Sequence, residues 1–165
     1  MSKIYSITHQ NWPFPPVQFT PSFALVIRQF LTELAIKFDP SFPSTETKYK
    51  SDSQTEQMYQ QETIYYGREQ QGVSCTYVTT EPESYYDTGT TSITVQTYGL
   101  QNLKIQISSN SSRNGTAYTF TTHGEERLAK SAFVILKRLH ALLPTKVVPT
   151  KTRIATNELI TLLKS

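Results

Sequence analysis

The side chains best suited to nucleophilic, general-base or metal chemistry in this chain are three histidines, His9, His123 and His140, and a single cysteine, Cys75. His123 follows Thr122 at an expected helix start, where the helix dipole acts on a side chain, and His140 falls in the last turn of that helix. The two are 17 residues apart, almost five helical turns, so they cannot chelate one metal from the same helix. His9 stands in a proline-rich arm. His123 reads as a solvated surface residue, and His140 as one favoured electrostatically near a helix end with no functional role required. With one cysteine there is no intrachain disulfide and no CxxC pair, and Cys75 reads as a small buried strand residue. Glu81, Glu83 and Asp87 cluster in one loop, but a Glu-Pro-Glu run beside Ser84 and Gly89 does not set up two carboxylates at a defined separation in unequal environments. The P-loop, dinucleotide, zinc-protease, nucleophile-elbow, EF-hand and deaminase motifs are all missing from the sequence. No catalytic residue, metal or cofactor is therefore expected, and the chain reads as a binding protein rather than an enzyme.

Two residue sets are suited to binding. Tyr59, Tyr65, Tyr66, Tyr77, Tyr85, Tyr86, Tyr98 and Tyr118 lie in or beside the expected strands. Tyrosine anchors protein interfaces at small entropic cost, and on an exposed sheet it can also stack bases. The strongest candidates are Tyr65 with Tyr66 and Tyr85 with Tyr86. The second set is basic: Arg127, Lys130, Lys137 and Arg138 avoid the apolar stripe of the last long helix, and Lys146, Lys151 and Arg153 follow in a tail. Cation rows of this kind track phosphates, and they also arise on any solvated helix face.

The elements that must position these residues can be read from periodicity. Thr20 caps and Pro21 opens a helix whose stripe is Phe23, Ile27, Phe30, Leu31, Leu34 and Phe38, with Arg28, Gln29, Glu33 and Lys37 largely off it. Asp39-Pro40 stops it. Residues 40–61 are polar and aperiodic, a long loop that has room for a short strand around Tyr49. Alternation then marks five strands, around Ile64–Tyr66, Val73–Tyr77, Ile93–Val95, Leu103–Ile107 and Tyr118–Phe120. Their short connections specify an antiparallel meander with one watered face. Thr122 to Glu125 resembles a capping box, followed by Leu128, Ala132, Ile135, Leu136, Leu139, Leu142 and Leu143, until Pro144 ends the helix. A short amphipathic helix is expected from about Thr156.

The assembled expectation is a two-layer α+β domain: an N-terminal helix, about five antiparallel strands, and a long C-terminal helix on one sheet face. Residues 1–19 form a Pro-rich arm, 20–143 the domain, and 144–165 a basic tail. A chain of 165 residues can build such a core unaided. The net charge of +3 is uneven: neutral over 1–61, −2 over 62–122 and +5 over 123–165. The first twenty residues hold no apolar run of signal-peptide length and no stretch suits a membrane span, so a cytoplasmic protein is expected. The leading functional expectation is a protein partner or homo-oligomer engaged through the Tyr-rich sheet, the 40–61 loop or the C-terminal helix and tail. Nucleic-acid binding by the basic helix is the alternative, and a small-ligand carrier or enzyme with a pocket between sheet and helices is the third.

Overall fold

Pro21 opens the first helix and Phe38 closes it, where the Thr20-Pro21 and Asp39-Pro40 signals place its ends. The computed structural model describes residues 2–11, 21–44, 47–80, 90–112 and 115–142. In chain order the elements are β1 (Ser2–Asn11), α1 (Pro21–Phe38), β2 (Lys48–Glu56), β3 (Tyr59–Gly67), β4 (Gly72–Thr80), β5 (Thr90–Tyr98), β6 (Leu103–Ser112), β7 (Gly115–Glu125) and α2 (Glu126–Leu142). The strands make one antiparallel sheet in the order β1-β7-β6-β5-β4-β3-β2. Strands β2 to β7 are a meander, and the first strand closes against the last, so β1 and β2 are the two edges.

Seven strands replace the five expected from alternation. Much of the arm before Thr20 is β1, whose Tyr5 and Ile7 face the helices opposite Thr122 and Phe120. The 40–61 segment is largely β2 and the start of β3, so it is an edge hairpin rather than a loop. Helix α2 also begins later than the capping-box pattern implies. Residues 122–125 continue β7, and Thr122 is a buried strand residue whose hydroxyl donates to the Ala129 carbonyl at 2.8 Å. His123 is accordingly an exposed strand residue, not a helix-start residue.

Both helices pack on one sheet face, α2 over β7, β1 and β6, and α1 over β5 and β4. The core between them holds Ile27, Phe30, Leu31 and Leu34 of α1, Ala129, Ala132, Leu136 and Leu139 of α2, and Val73, Cys75, Ile93, Val95, Ile105, Ile107, Tyr118 and Phe120 of the sheet. The opposite face is polar, with cross-strand hydroxyl pairs Ser6–Thr121, Thr63–Thr76 and Thr80–Thr90 at 3.3, 3.1 and 2.6 Å. Among the described residues no helix is long and apolar enough to cross a membrane.

One polar cluster locks α1 to the sheet. The Asp39 carboxylate accepts hydrogen bonds from the Ser41 hydroxyl at 2.6 Å, the Ser41 N–H at 3.1 Å and the Gln71 side-chain amide at 2.8 Å. These bonds, Ser41 first, hold its carboxyl below the ordinary value. Gln71 lies in the β3–β4 turn and also approaches the Gly99 carbonyl in the β5–β6 turn, at 3.4 Å. Gly99 adopts φ +74, and a Cβ there would lie 1.8 Å from the Gln70 carbonyl oxygen, so only glycine lets the two turns meet.

Candidate interaction surface

The tyrosines do not form one platform, because strand alternation divides them between the two faces. Tyr66, Tyr77 and Tyr118 face the helices, as does Tyr5, whose ring stacks on Phe133 of α2 at 5.6 Å. Burial pushes the Tyr118 phenol up to about 12. Tyr65 and Tyr98 face the other way and meet edge to face at 5.7 Å and 84°. The expected Tyr65/Tyr66 pair is therefore split between interior and surface. Tyr85 and Tyr86 lie outside the described residues.

Around Tyr65 and Tyr98 the β2 edge builds a corner. A register shift between Lys48 and Lys50 makes Tyr49 the additional residue of a bulge, and Tyr49 remains 47% exposed. Lys50 Nζ sits 5.7 Å from the centre of the Tyr65 ring and 3.4 Å from the Asp52 carboxylate. Burial raises the Tyr98 phenol, and its hydroxyl donates to the Arg68 carbonyl at 2.6 Å. Gly72 permits this arrangement, since a Cβ there would lie 2.6 Å from the Tyr98 hydroxyl. Beyond the corner, all nine residues of β2 are exposed, so neither of its faces is covered. The hairpin tip carries Met58, at φ 63 and 39% exposed.

Tyr49, Lys50 and Tyr98 are the surface residues that periodicity alone underrated. A usable signal was present: Lys50, Asp52, Gln54 and Glu56 alternate with Ser51, Ser53 and Thr55, a period of two written in charge and size rather than in hydrophobicity.

Beneath α1 lies the one buried charged group among the described residues. Arg28, expected off the apolar stripe, is only 4% exposed, and its guanidinium carbon lies 4.9 Å over the Tyr66 ring. The buried face is wider than the apolar stripe: Ala24, Arg28, Thr32 and Ala35 are buried along with Ile27, Phe30, Leu31 and Leu34, an arc of more than half the helix circumference. Nearby, the Tyr77 hydroxyl donates to Cys75 Sγ. Burial pushes the Cys75 thiol up to about 11, with the Arg28 charge opposing, and raises Tyr77 and Tyr66 as well. At neutral pH about one Cys75 in 10⁴ is thiolate, which is no basis for a nucleophile.

The basic residues of α2 do come together. Arg127, Lys130, Lys137 and Arg138 are all exposed and share one stripe of the helix, about 16 Å long, with Ser131 and Val134 between them. Arg127 Nε approaches Glu125 at 3.8 Å and Lys137 Nζ lies 6.0 Å from the Phe133 ring. Lys146, Lys151 and Arg153 lie outside the described residues, as do Glu81, Glu83, Asp87 and the segment from Thr156. No group of three His, Cys, Asp or Glu among the described residues could hold a metal ion.

No family model matches the chain, and no curated protein matches it. Among solved structures it is similar to the crystal structure of the Zhui aromatase/cyclase from Streptomyces sp. R1128, at 13% identity over 99% of this chain and 82% of that one, with a TM-score of 0.19. A likeness at that score carries no argument about fold or activity.

Proposed function

We propose that this chain is a protein-binding module that receives its partner along β2 and the adjoining Tyr49–Tyr65–Tyr98 corner. The observation that carries the reading is the exposure of every residue of β2. Ordering a residue costs about 1–2 kcal/mol of conformational entropy, and a strand exposed on both faces recovers almost none of it by burial. β2 is held by a single ladder to β3, and the backbone groups on its other side are open to a further strand. A partner strand would satisfy those groups, with Tyr49 and Tyr65 as side-chain anchors beside it.

The test is the native mass of the protein, in crude extract and then purified and concentrated, by size exclusion with light scattering, for the wild type and for a Tyr49→Ala/Ser53→Pro variant. The expected result is a complex above monomer mass that the variant loses, while the purified variant keeps the wild-type circular dichroism spectrum. A wild type that is monomeric in extract and stays so when purified and concentrated, or a variant that keeps the complex, refutes the reading.

A second reading rests on the cation stripe of α2. If its four basic residues contact phosphates of a double-stranded nucleic acid, the logarithm of affinity falls with the logarithm of salt concentration with a slope of about −3.6. Reversing Lys130 and Lys137 to Glu would abolish that binding. Failure to bind duplex at low salt ends this reading.

A further inference from the structure

Edge strands commonly carry charge to discourage pairing, and β2 carries Lys48, Lys50, Asp52 and Glu56. The order of these charges decides what they discourage. On the face shared with Tyr65 the alternate positions run Lys50, Asp52, Gln54, Glu56, positive to negative. Parallel in-register pairing of two copies sets like charge on like. Antiparallel pairing about a two-fold axis at Asp52 sets Asp52 against itself, and about Gln54 it sets Asp52 against Glu56; an axis at Ser51 opposes Lys50 to Asp52 but pairs Tyr49 with Ser53 and so draws the bulge into the ladder. An axis at Ser53 instead places Lys50 against Glu56 of the second copy, twice by symmetry, Asp52 against Gln54, and Ser51 against Thr55 on the other face.

That axis also matches the apolar surface. The seven paired residues, Lys50 to Glu56, exclude the bulge at Tyr49, which the irregular backbone would otherwise bring into the ladder. Just beyond each end of the paired segment, Tyr49 meets the hairpin tip of the second copy, where Met58 is exposed. The two large exposed apolar side chains of the β2–β3 hairpin thus face each other across the contact, a thioether beside an aromatic ring. The Lys50–Asp52 contact within one copy does not oppose this, because both side chains are more than half exposed and such a pair contributes little.

We infer that the partner on β2 is a second copy of this chain, paired antiparallel about Ser53 so that the two sheets become continuous. This rests on β2 being the contact edge, and it commits to Lys50–Glu56 charge pairs and Tyr49–Met58 contacts at both ends. A strand-to-strand contact of this length is at the small end of specific interfaces, so a dissociation constant on the order of 10–100 μM is expected.

The experiment is sedimentation equilibrium of the full chain at concentrations up to about 500 μM, on the wild type, Lys50→Glu, Glu56→Lys, and an equimolar mixture of the two variants. Each variant alone sets two like-charge pairs across the axis, and its dimer is expected to weaken on the order of tenfold. The mixture restores both opposite-charge pairs and is expected to dimerise like the wild type, which only folded variants can do. A wild type that stays monomeric throughout overturns the inference. So does a wild-type dimer that neither variant weakens, or a mixture that fails to recover. In those cases a complex in crude extract that the Tyr49→Ala/Ser53→Pro variant loses would still stand for β2 as a binding edge with a different protein on it.

Discussion

Raising the pH from 8 to 11 should destabilise this protein through protons that can be assigned to named residues. Burial raises the Cys75 thiol from 9.0 to about 11, so the folded state keeps a proton that the unfolded chain gives up from pH 9 upward. In that window the unfolded state binds fewer protons, and stability falls with rising pH. Its contribution is intact below pH 9, falls by about 1.4 kcal/mol per pH unit, and levels off near pH 11 after a loss of roughly 3 kcal/mol. Tyr118 repeats the pattern one unit higher, from 10.0 to about 12. The assay is urea denaturation at half-unit pH intervals for the wild type and Cys75→Ala. The substitution leaves a small cavity in the core, which lowers the whole curve, but only the slope between pH 9 and 11 tests the argument. Tyr118, raised by burial alone, contributes equally to both proteins and cancels in the difference, whereas Tyr77 and Tyr66, which Cys75 also raises, are relaxed by the substitution and add to the difference in the same direction. Cys75→Ala should lose stability over that window more slowly than the wild type, by about 1.4 kcal/mol per pH unit. Parallel curves would mean that the thiol is not buried between α1 and β4, and the packing described for that layer would be wrong.

Two further outcomes follow from single positions. Met58 holds φ 63 at the hairpin tip, a conformation that costs a residue with a side chain about 1 kcal/mol and glycine almost nothing. Met58→Gly should therefore raise the thermal midpoint by a few degrees, measured by circular dichroism at a concentration low enough to keep the chain monomeric. Asp39 has its carboxyl lowered by Ser41 and Gln71, so its contribution is present above the ordinary carboxylate value and disappears as pH falls through the folded one. Asp39→Asn should flatten the acid limb of a stability profile taken between pH 5 and about 2 and leave the alkaline limb unchanged, and an unaltered acid limb would sink the idea.

The parts of the fold that were legible in the sequence are those that burial or capping writes into residue types. The ends of α1 are encoded by Pro21 and by Asp39-Pro40, and strands β3 to β7 by inward apolar residues at every second position. What stayed hidden is structure held by pairing rather than by burial. β1 turns only a short run toward the helices, with Tyr5 and Ile7 half-buried, and the prolines that follow it at Pro13, Pro15 and Pro16 draw attention away. β2 buries nothing, so no hydrophobic period can reveal it. The capping-box pattern at Thr122 failed for a related reason. A threonine and a glutamate three residues apart suit a helix start, but the same threonine suits a strand interior, and its hydrogen bond to Ala129 shows which environment prevailed.

The same division explains where the candidate surface falls. In the seven-stranded sheet α2 occupies the β1–β7–β6 side and α1 occupies β5 and β4, so the two helices reach five strands. The helix layer thus runs out at β3, leaving Ile64 and Tyr66 half-covered and β2 bare. A long α1 with Arg28 laid over Tyr66 makes this boundary definite, because the guanidinium needs the edge of the core, where the aromatic face shields it on one side. β2 then lies beyond the last residues that either helix can bury. Charged and small side chains are what that position tolerates, and their order along the strand is free to be selected for pairing. In this sequence that order is antiparallel-complementary about Ser53, and it is on this order that the proposed self-pairing of the edge rests.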